Sequence, residues 1–310
     1  MKFAIIGQQD FGKAVLEAFL ARGDQAAAVF CAPEKEGARP DALRLTAQQK
    51  GLKVYQFKSL RDPEAARAMK EAGADIGIMA FVTQFAPQEF VAIPRLGTIQ
   101  YHPSLLPKYR GPSSINWPII KGDTETGLTI FRPTDGLDEG AVILQKKTPI
   151  SPDDTLGTVY FDRLFPMGVQ AMLDAADLVL AGKHTETAQD ESQASYEGWC
   201  RSAEAKIDWA KPIDHVYNVI RGCNPAPGAW TTLNGKKLQI FDARKMVFRR
   251  FADVSGKIGE VTAITPQSFQ VIAQGGSIEV LKAKFEDGKK ISGGEMAQSG
   301  GIQAGTLLGS

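Results

Sequence analysis

Lys2-Phe3-Ala4-Ile5-Ile6-Gly7-Gln8-Gln9-Asp10-Phe11-Gly12-Lys13-Ala14 is the stretch whose reading decides the fold. Phe3 to Ile6 is an unbroken apolar run that stops on Gly7, the pattern of a strand buried on both faces. From Lys13 to Ala21 the apolar residues Ala14, Val15, Ala18 and Phe19 recur with a helical period, and Ala26 to Phe30 is a second buried run. The glycine turn nearly matches the phosphate-cradling pattern G-x-x-x-x-G-K-[ST]. Ala14 stands where a hydroxyl would hold magnesium, however, and the G-x-G-x-x-G spacing of a dinucleotide site is missing. The turn therefore reads as a tight strand-to-helix connection opening a doubly wound sheet.

The alternation continues outward from there. Ala42 to Gln49 is helical in period and closed by Gly51; Val54 to Phe57 is a strand; Asp62-Pro63-Glu64 opens a helix with an N-cap and a first-position proline. Ile76 to Phe81 and Thr98 to Tyr101 are strands, with a short helical or loop piece, Gln88 to Ile93, between them. Leu128 to Phe131 and Val142 to Gln145 flank an acidic turn like a hairpin pair, and Thr155 to Leu180 predicts one long amphipathic helix. The pattern predicts an α/β domain over 1–182 built on a Rossmann-like, doubly wound parallel sheet. Residues 183–203 begin with a polar stretch without apolar periodicity and read as a linker. From 204 to 310 a helix near Asp214 to Arg221 precedes short strands at Leu238–Asp242, Gly256–Ile264, Ser268–Ala273 and Ile278–Phe285, which suggests a small, OB-like β-barrel domain. The Gly/Ser/Gln-rich end, Ser292 to Ser310, reads as a disordered terminus or a loose last strand.

Bulk properties exclude several function classes. The 310 residues are 43% hydrophobic and 23% charged, as in an ordinary soluble globular protein. Net charge is +1, so no overall field draws the chain to nucleic acid or to a membrane. The charge is uneven, because the part from Glu204 onward holds 14 Lys+Arg against 10 Asp+Glu. Cys31, Cys200 and Cys223 are odd in number and show no C-x-x-C spacing, so neither a disulfide framework nor a zinc site is indicated and a reducing cytoplasm fits. The apolar N-terminal run is too short for a signal peptide, and no run reaches the ~18 residues of a membrane span.

The chemistry concentrates in Gly97-Thr98-Ile99-Gln100-Tyr101-His102-Pro103-Ser104-Leu105-Leu106-Pro107-Lys108-Tyr109-Arg110-Gly111. A strand delivers His102 and Ser104 into a loop whose backbone Pro103 and Pro107 restrict. About one βαβ unit later comes the acidic turn Asp135-Gly136-Leu137-Asp138-Glu139-Gly140. A histidine after one strand and a carboxylate after another can meet at one sheet edge, and the pair suits proton transfer around an attacked carbonyl carbon. Each residue also has a plain structural reading: a satisfied histidine, and a solvated turn carboxylate with Asp135 and Glu139 as neighbours. His184 and His215 read as structural or solvated. Ser104 reads as a loop-shaping hydroxyl, since nothing around it supplies a third triad member.

Taken together, His102-Pro103-Ser104-Leu105-Leu106-Pro107, Gly136-Leu137-Asp138-Glu139-Gly140, Lys206-Ile207-Asp208-Trp209 and Asn224-Pro225-Ala226-Pro227-Gly228-Ala229-Trp230 resemble the folate-dependent formyltransferase family over nearly the whole chain. Tyr101-His102-Pro103, Ser195-Tyr196-Glu197-Gly198 and Ile220-Arg221-Gly222 look closest to the hydrolase domain of 10-formyltetrahydrofolate dehydrogenases. The resemblance implies 10-formyltetrahydrofolate as co-substrate, no metal, and a catalytic Asn-x-His…Asp set. His102 and Asp138 occupy the matching positions, while Gln100 stands where the family has Asn and sets its amide one methylene further out. The implied folate slot comprises Phe81, Gln84, Phe85, Leu105, Arg110, Asp135 and Gly136, with Arg110 near the folate glutamate. The implied acceptor is initiator methionyl-tRNA or another amine, with water, and hence hydrolysis to formate, as the alternative; a non-catalytic folate-binding module is the remaining reading. The loop Cys31 to Asp41 offers a polynucleotide little, with Lys35 and Arg39 against Glu34, Glu36 and Asp41. Lys236-Lys237, Arg244-Lys245 and Arg249-Arg250 are the basic pairs that would track a phosphate backbone.

Overall fold

The computed structural model describes residues 1–248 and 256–309. Arg249 and Arg250 lie outside the described residues. Two compact units emerge, and neither is continuous in sequence: the first takes residues 1–111, 127–148 and 163–196, the second 112–126, 149–162 and 197–310.

The first unit alternates β1 (Lys2–Gly7), α1 (Gln9–Ala21), β2 (Gln25–Cys31), α2 (Ala42–Gln49), β3 (Val54–Gln56), α3 (Pro63–Ala72), β4 (Ile76–Ala80), α4 (Gln88–Val91) and β5 (Thr98–His102). The strands lie in the order β3-β2-β1-β4-β5, and every neighbouring pair in that run is parallel. The order reverses between β1 and β4, so the carboxyl ends of these strands form the crevice where open α/β sheets bind ligands. Burial explains the composition of the strands. Ile76 to Ala80 are all buried, as both faces of a helix-covered sheet demand. At the end of β1 a side chain on Gly7 would place its Cβ 2.1 Å from the Ala80 carbonyl oxygen, so glycine is what lets β1 and β4 close there. The helix α1 follows after a single residue, as a tight strand-to-helix connection should, and begins four residues before the expected start at Lys13.

The sheet is not parallel throughout. After α5 (Asn116–Lys121), β6 (Glu125–Phe131) pairs antiparallel with β5, setting Gln100 against Phe131, Tyr101 against Ile130 and His102 against Thr129. Then β7 (Val142–Pro149) completes a seven-stranded sheet. The expected single helix over 155–180 divides: Thr158–Leu164 is π-helical, and the regular helix α6 runs from Phe165 to Leu180. Pro166 gives the reason, since it lacks an N–H for an α-helical ladder and is accommodated where a ladder begins. Phe11 of α1 stacks on Tyr101 with ring centroids 4.3 Å apart and meets Phe165 edge-on at 5.4 Å. Full burial of one such ring stabilises by roughly 1.5–3 kcal/mol, so this trio fixes the back of β5.

The second unit contains α5, α7 (Ile213–Gly222), β8 (Ala229–Leu233), β9 (Lys236–Val247), β10 (Val261–Ile264), β11 (Phe269–Ala273), β12 (Gly276–Phe285), β13 (Ile291–Ser292) and α8 (Gly293–Gly300). Its strands form an antiparallel sheet in the order β10-β11-β12-β9-β8, with β13 paired to β12. Trp209, Ile213, Ile220, Leu238, Phe269 and Val280 belong to its single core. Where a disordered terminus or a loose last strand is expected, Gly293–Gly300 is helical and Leu307 bridges to Glu260. Ser292 caps α8, accepting from the Glu295 N–H, while the Glu295 carboxylate accepts from the Ser292 N–H. The S-x-x-E spacing of a capping box was present in the sequence to signal this.

Candidate active site

The site belongs entirely to the first unit. Strand β5 presents Gln100 and His102 on one face of the sheet, two residues apart, and Tyr101 on the other. His102 is the last residue of the strand and only 6% exposed. The loop after it is tied to the sheet through Thr129, which β6 brings opposite His102. The Thr129 hydroxyl donates to the Ser104 carbonyl (2.7 Å) and accepts from the Leu106 N–H (3.1 Å) and the Gln145 amide (2.9 Å). Ser104, fully buried, donates its hydroxyl to the Lys108 carbonyl at 2.7 Å, which makes it the loop-shaping group expected of it.

Asp138 arrives from the β6–β7 turn and is likewise 6% exposed. Its Oδ2 accepts the Gly111 N–H at 2.8 Å and stands 3.5 Å from Nδ1 of His102. The other ring nitrogen, Nε2, lies 2.8 Å from the carbonyl oxygen of Tyr109. A carbonyl can only accept, so Nε2 carries the hydrogen in this ring orientation. Nδ1 is then either a bare lone pair or, when His102 is protonated, a second N–H between the ring and the carboxylate. One proton placed or removed at this edge thus changes the charge of the pair. The turn that makes this possible needs Gly140, where a Cβ would fall 1.6 Å from the Arg132 carbonyl oxygen. Asp138 itself has φ of 57°, in the left-handed region that a non-glycine residue enters at a cost of about 1 kcal/mol or more.

Residues 183–196 are not a free linker. Thr187 and Val142 exchange backbone hydrogen bonds, Arg110 N–H donates to the Ser195 carbonyl at 2.9 Å, and the Ser195 hydroxyl accepts the Tyr109 N–H at 2.8 Å. Several polar side chains of this segment bond to the site loops or to one another: Gln189 to the Asp138 and Gly140 carbonyls, and Ser192 and Gln193 to Asp190. Arg110 is the clearest case. Its guanidinium is 3% exposed and donates to Gln189 (3.1 and 2.8 Å) and to Glu191 (2.9 and 2.6 Å). The Glu191 hydrogen bond holds Arg110 above, and Arg110 holds Glu191 below, the ordinary range of each group. Arg110, expected near a folate carboxylate, is here engaged by Gln189 and by the exposed carboxylate of Glu191.

The other expected folate residues differ in exposure and in local contacts. Phe81, with φ of 60°, and Phe85 are about half exposed, as is Leu137 in the acidic turn, so three apolar side chains face solvent beside a polar pair. Arg61 lies over the Phe85 ring at 4.4 Å. Gln84 donates to the Phe57 carbonyl at 2.8 Å, and Asp135 accepts the Gln88 N–H at 3.1 Å, so both shape loops here. Leu105 is partly buried under β6, where a Cβ on Gly127 would meet it at 2.5 Å; Gly136 sits against the Glu139 carboxylate. Gln100 is partly buried on the His102 face. Burial, then the charges of Asp138 and Glu139, raise the Tyr196 hydroxyl above its ordinary value. Sequence reading missed Gly111, Tyr109 and Gln189, each of which acts through a backbone group or an amide that no residue pattern marks. His184 contacts Glu186 and Arg132, and His215 is exposed on α7. Among the described residues, no group of three or more His, Cys, Asp or Glu side chains is placed to hold a metal ion, and no helix is long and apolar enough to cross a membrane. A cavity of about 470 Å³ opens within the second unit between Arg221, Tyr217 and Phe241. It contains no histidine, and its Asp153 accepts the Tyr217 hydroxyl, so the proton-transfer pair lies elsewhere.

Comparison with known proteins identifies the family. The formyl transferase family matches residues 1–176, and the formyl transferase C-terminal domain matches residues 200–300. The chain is 36% identical over 311 residues to the mitochondrial 10-formyltetrahydrofolate dehydrogenase of Mus musculus, covering 97% of this chain and 33% of that protein. It thus spans about a third of the length of such dehydrogenases. It is 33% identical over 309 residues to the methionyl-tRNA formyltransferase of Syntrophus aciditrophicus (strain SB), covering 98% of this chain and 97% of that one. Among solved structures, the N-formyltransferase of Helicobacter canadensis, in complex with folinic acid and dTDP-3-aminofucose, superposes with a TM-score of 0.70 at 19% identity, over 91% of this chain and 99% of that one.

Proposed function

This chain belongs to the formyl transferase family, and we propose that it transfers the formyl group of 10-formyltetrahydrofolate to an amine, with His102 and Asp138 as its catalytic residues. The observation that carries the reading is the buried His102–Asp138 pair at 3.5 Å, at the carboxyl end of β5. Half-exposed apolar side chains such as Phe81, Phe85 and Leu137 suit the flat faces of a pterin ring, whose edge nitrogens and oxygen need polar partners. The amine nitrogen attacks the formyl carbon, a C–N bond forms, and the carbonyl oxygen takes up negative charge. His102 and the amide of Gln100 stabilise that oxygen. Asp138 accepts the proton lost by the attacking amine. The negative oxygen then reforms the carbonyl as the bond to N10 breaks, N10 takes the proton held by Asp138, and tetrahydrofolate leaves.

Full-length similarity to a methionyl-tRNA formyltransferase favours initiator methionyl-tRNA as the acceptor. Lys237, Arg244 and Lys245 in the second unit are paired with Glu286, Glu279 and Asp214, but exposed pairs of this kind are worth only ~0–1 kcal/mol and would yield to phosphates. Hydrolysis is the second reading, favoured by the 36% identity to a 10-formyltetrahydrofolate dehydrogenase and by Gln100, whose longer side chain moves an oxyanion donor. Tetrahydrofolate release by the purified protein, followed with and without charged initiator tRNA, separates them. Release that depends on the tRNA and falls with rising salt supports the transferase; equal release without any acceptor makes water the acceptor; none in either case removes both.

A further inference from the structure

One amide touches both halves of the site at once. Gln189 donates from Nε2 to the carbonyl oxygens of Asp138 and Gly140, each at 2.8 Å. Its Oε1 accepts from Arg110 Nε at 3.1 Å and Nη2 at 2.8 Å. Both amide hydrogens and the carbonyl oxygen are therefore engaged. Arg110 is followed by Gly111, whose N–H donates to Oδ2 of Asp138 at 2.8 Å. A closed ring results, running from the Asp138 carbonyl through Gln189, Arg110 and Gly111 back to the Asp138 carboxylate. It links the loop that follows His102 to the turn that carries Asp138.

We propose that Gln189 is a positioning residue that holds Asp138 in register with His102. The inference rests on the reading that this pair carries formyl transfer. Asp138 is left-handed at φ 57°, a conformation that persists in a non-glycine residue only when its surroundings impose it, and the Gln189 amide bonds to the carbonyl of that same residue. The neighbouring acid, Glu191, grips Arg110 but touches neither carbonyl of the turn, and its side chain is 68% exposed. Glu139 of the turn also reaches Arg110, at 3.9 Å, through its half-exposed carboxylate, but Gln189 joins the arginine to the backbone of the turn, and it does so without adding a charge beside Asp138.

Two variants test this against a general structural role. Gln189→Leu removes all four hydrogen bonds at nearly constant shape. Gln189→Glu keeps an acceptor for Arg110 but turns oxygen toward the two carbonyls, so it separates the grip on the arginine from the grip on the turn. Both are expected to lower kcat by ~10²-fold, the cost of a misplacement near 1 Å. KM for 10-formyltetrahydrofolate should stay within about twofold, because an interaction expressed only in the transition state leaves ground-state binding alone. Circular dichroism should stay that of the parent. If Gln189→Leu does not fold, Gln189→Glu decides the matter. A kcat within about threefold of the parent in a folded variant overturns the proposal, as does a rise in KM that accounts for the loss, and failure of both variants to fold reduces Gln189 to a structural clamp. Asp138→Asn, measured beside them, isolates the underlying reading: if it turns over like the parent, the pair itself is not catalytic, whatever Gln189 does.

Discussion

Asp138→Asn is the sharpest perturbation of the site because it changes charge and almost nothing else. Asparagine has the same shape, tolerates the left-handed conformation at φ 57°, and can still accept the Gly111 N–H through its amide oxygen. It loses the negative charge 3.5 Å from Nδ1 of His102 and the ability to take a proton. Unit charges at that separation interact by about 5 kcal/mol at an effective dielectric near 20 and by about 1 kcal/mol in water. The attacking amine turns positive in the transition state beside this buried carboxylate, which places the interaction nearer the first figure, equivalent to roughly 10³-fold in rate and within the ~10²–10⁴-fold usually supplied by a positioned acid or base. The expectation is a kcat about 10³-fold lower, with urea midpoint and folate affinity close to the parent's. Turnover would be followed as tetrahydrofolate release under saturating substrate, and binding by fluorescence titration. A folded Asp138→Asn variant within tenfold of the parent would refute the argument that this carboxylate accepts the proton.

Three further outcomes follow from particular contacts. Gly140→Ala forces a Cβ to 1.6 Å from the Arg132 carbonyl, so the turn must open: a urea melt should show a loss above about 2 kcal/mol, and turnover should fall with it. Burial pushes the Glu34 carboxyl up, but hydrogen bonds from the Asp41 N–H, the Gln56 amide and Arg44 outweigh it and hold Glu34 at about 2, below its ordinary value of 4.5. A folded value below the unfolded one stabilises above pH 4.5 and is lost as pH falls toward 2, so Glu34→Gln should flatten the decline of the urea midpoint in that window and leave little pH-dependent difference above it. Ser292→Ala removes the capping box of α8 and should cost ~1 kcal/mol in the same melt; no change would mean that the helix end is held by tertiary packing alone.

Much of the first unit was legible because its signals are local. Phe3 to Ile6 and Ile76 to Ala80 are apolar runs that only a two-sided core accommodates, and Asp62 with Pro63 marks a helix start through capping chemistry. Features that depend on a neighbour were not legible. The antiparallel direction of β6 is set by pairing with β5, and the division of 155–180 depends on how Pro166 is accommodated. The short helix α5 around Pro118 escaped because a proline in an apolar hexamer gives no periodic signal. The capping box at Ser292 was visible but hidden by a glycine-rich composition.

The α/β class, the strand from Thr98 to Tyr101 that leads to His102, and the acidic turn around Asp138 were legible in the sequence, because each is written in residue types within a few positions of one another. The sequence also carried the family, through motifs spread along the chain. Only the tertiary structure decided which atoms of those residues meet. That Nδ1 of His102 faces Asp138 while Nε2 is taken by Tyr109, that Arg110 is spent on Glu191 and Gln189, and that residues 183–196 bind the site loops instead of trailing as a linker are all contacts between segments far apart in sequence. Hydrogen bonds to backbone groups leave no mark in residue identity, and a polar stretch reads the same whether its partners are water or a buried arginine; folding alone tells the two apart.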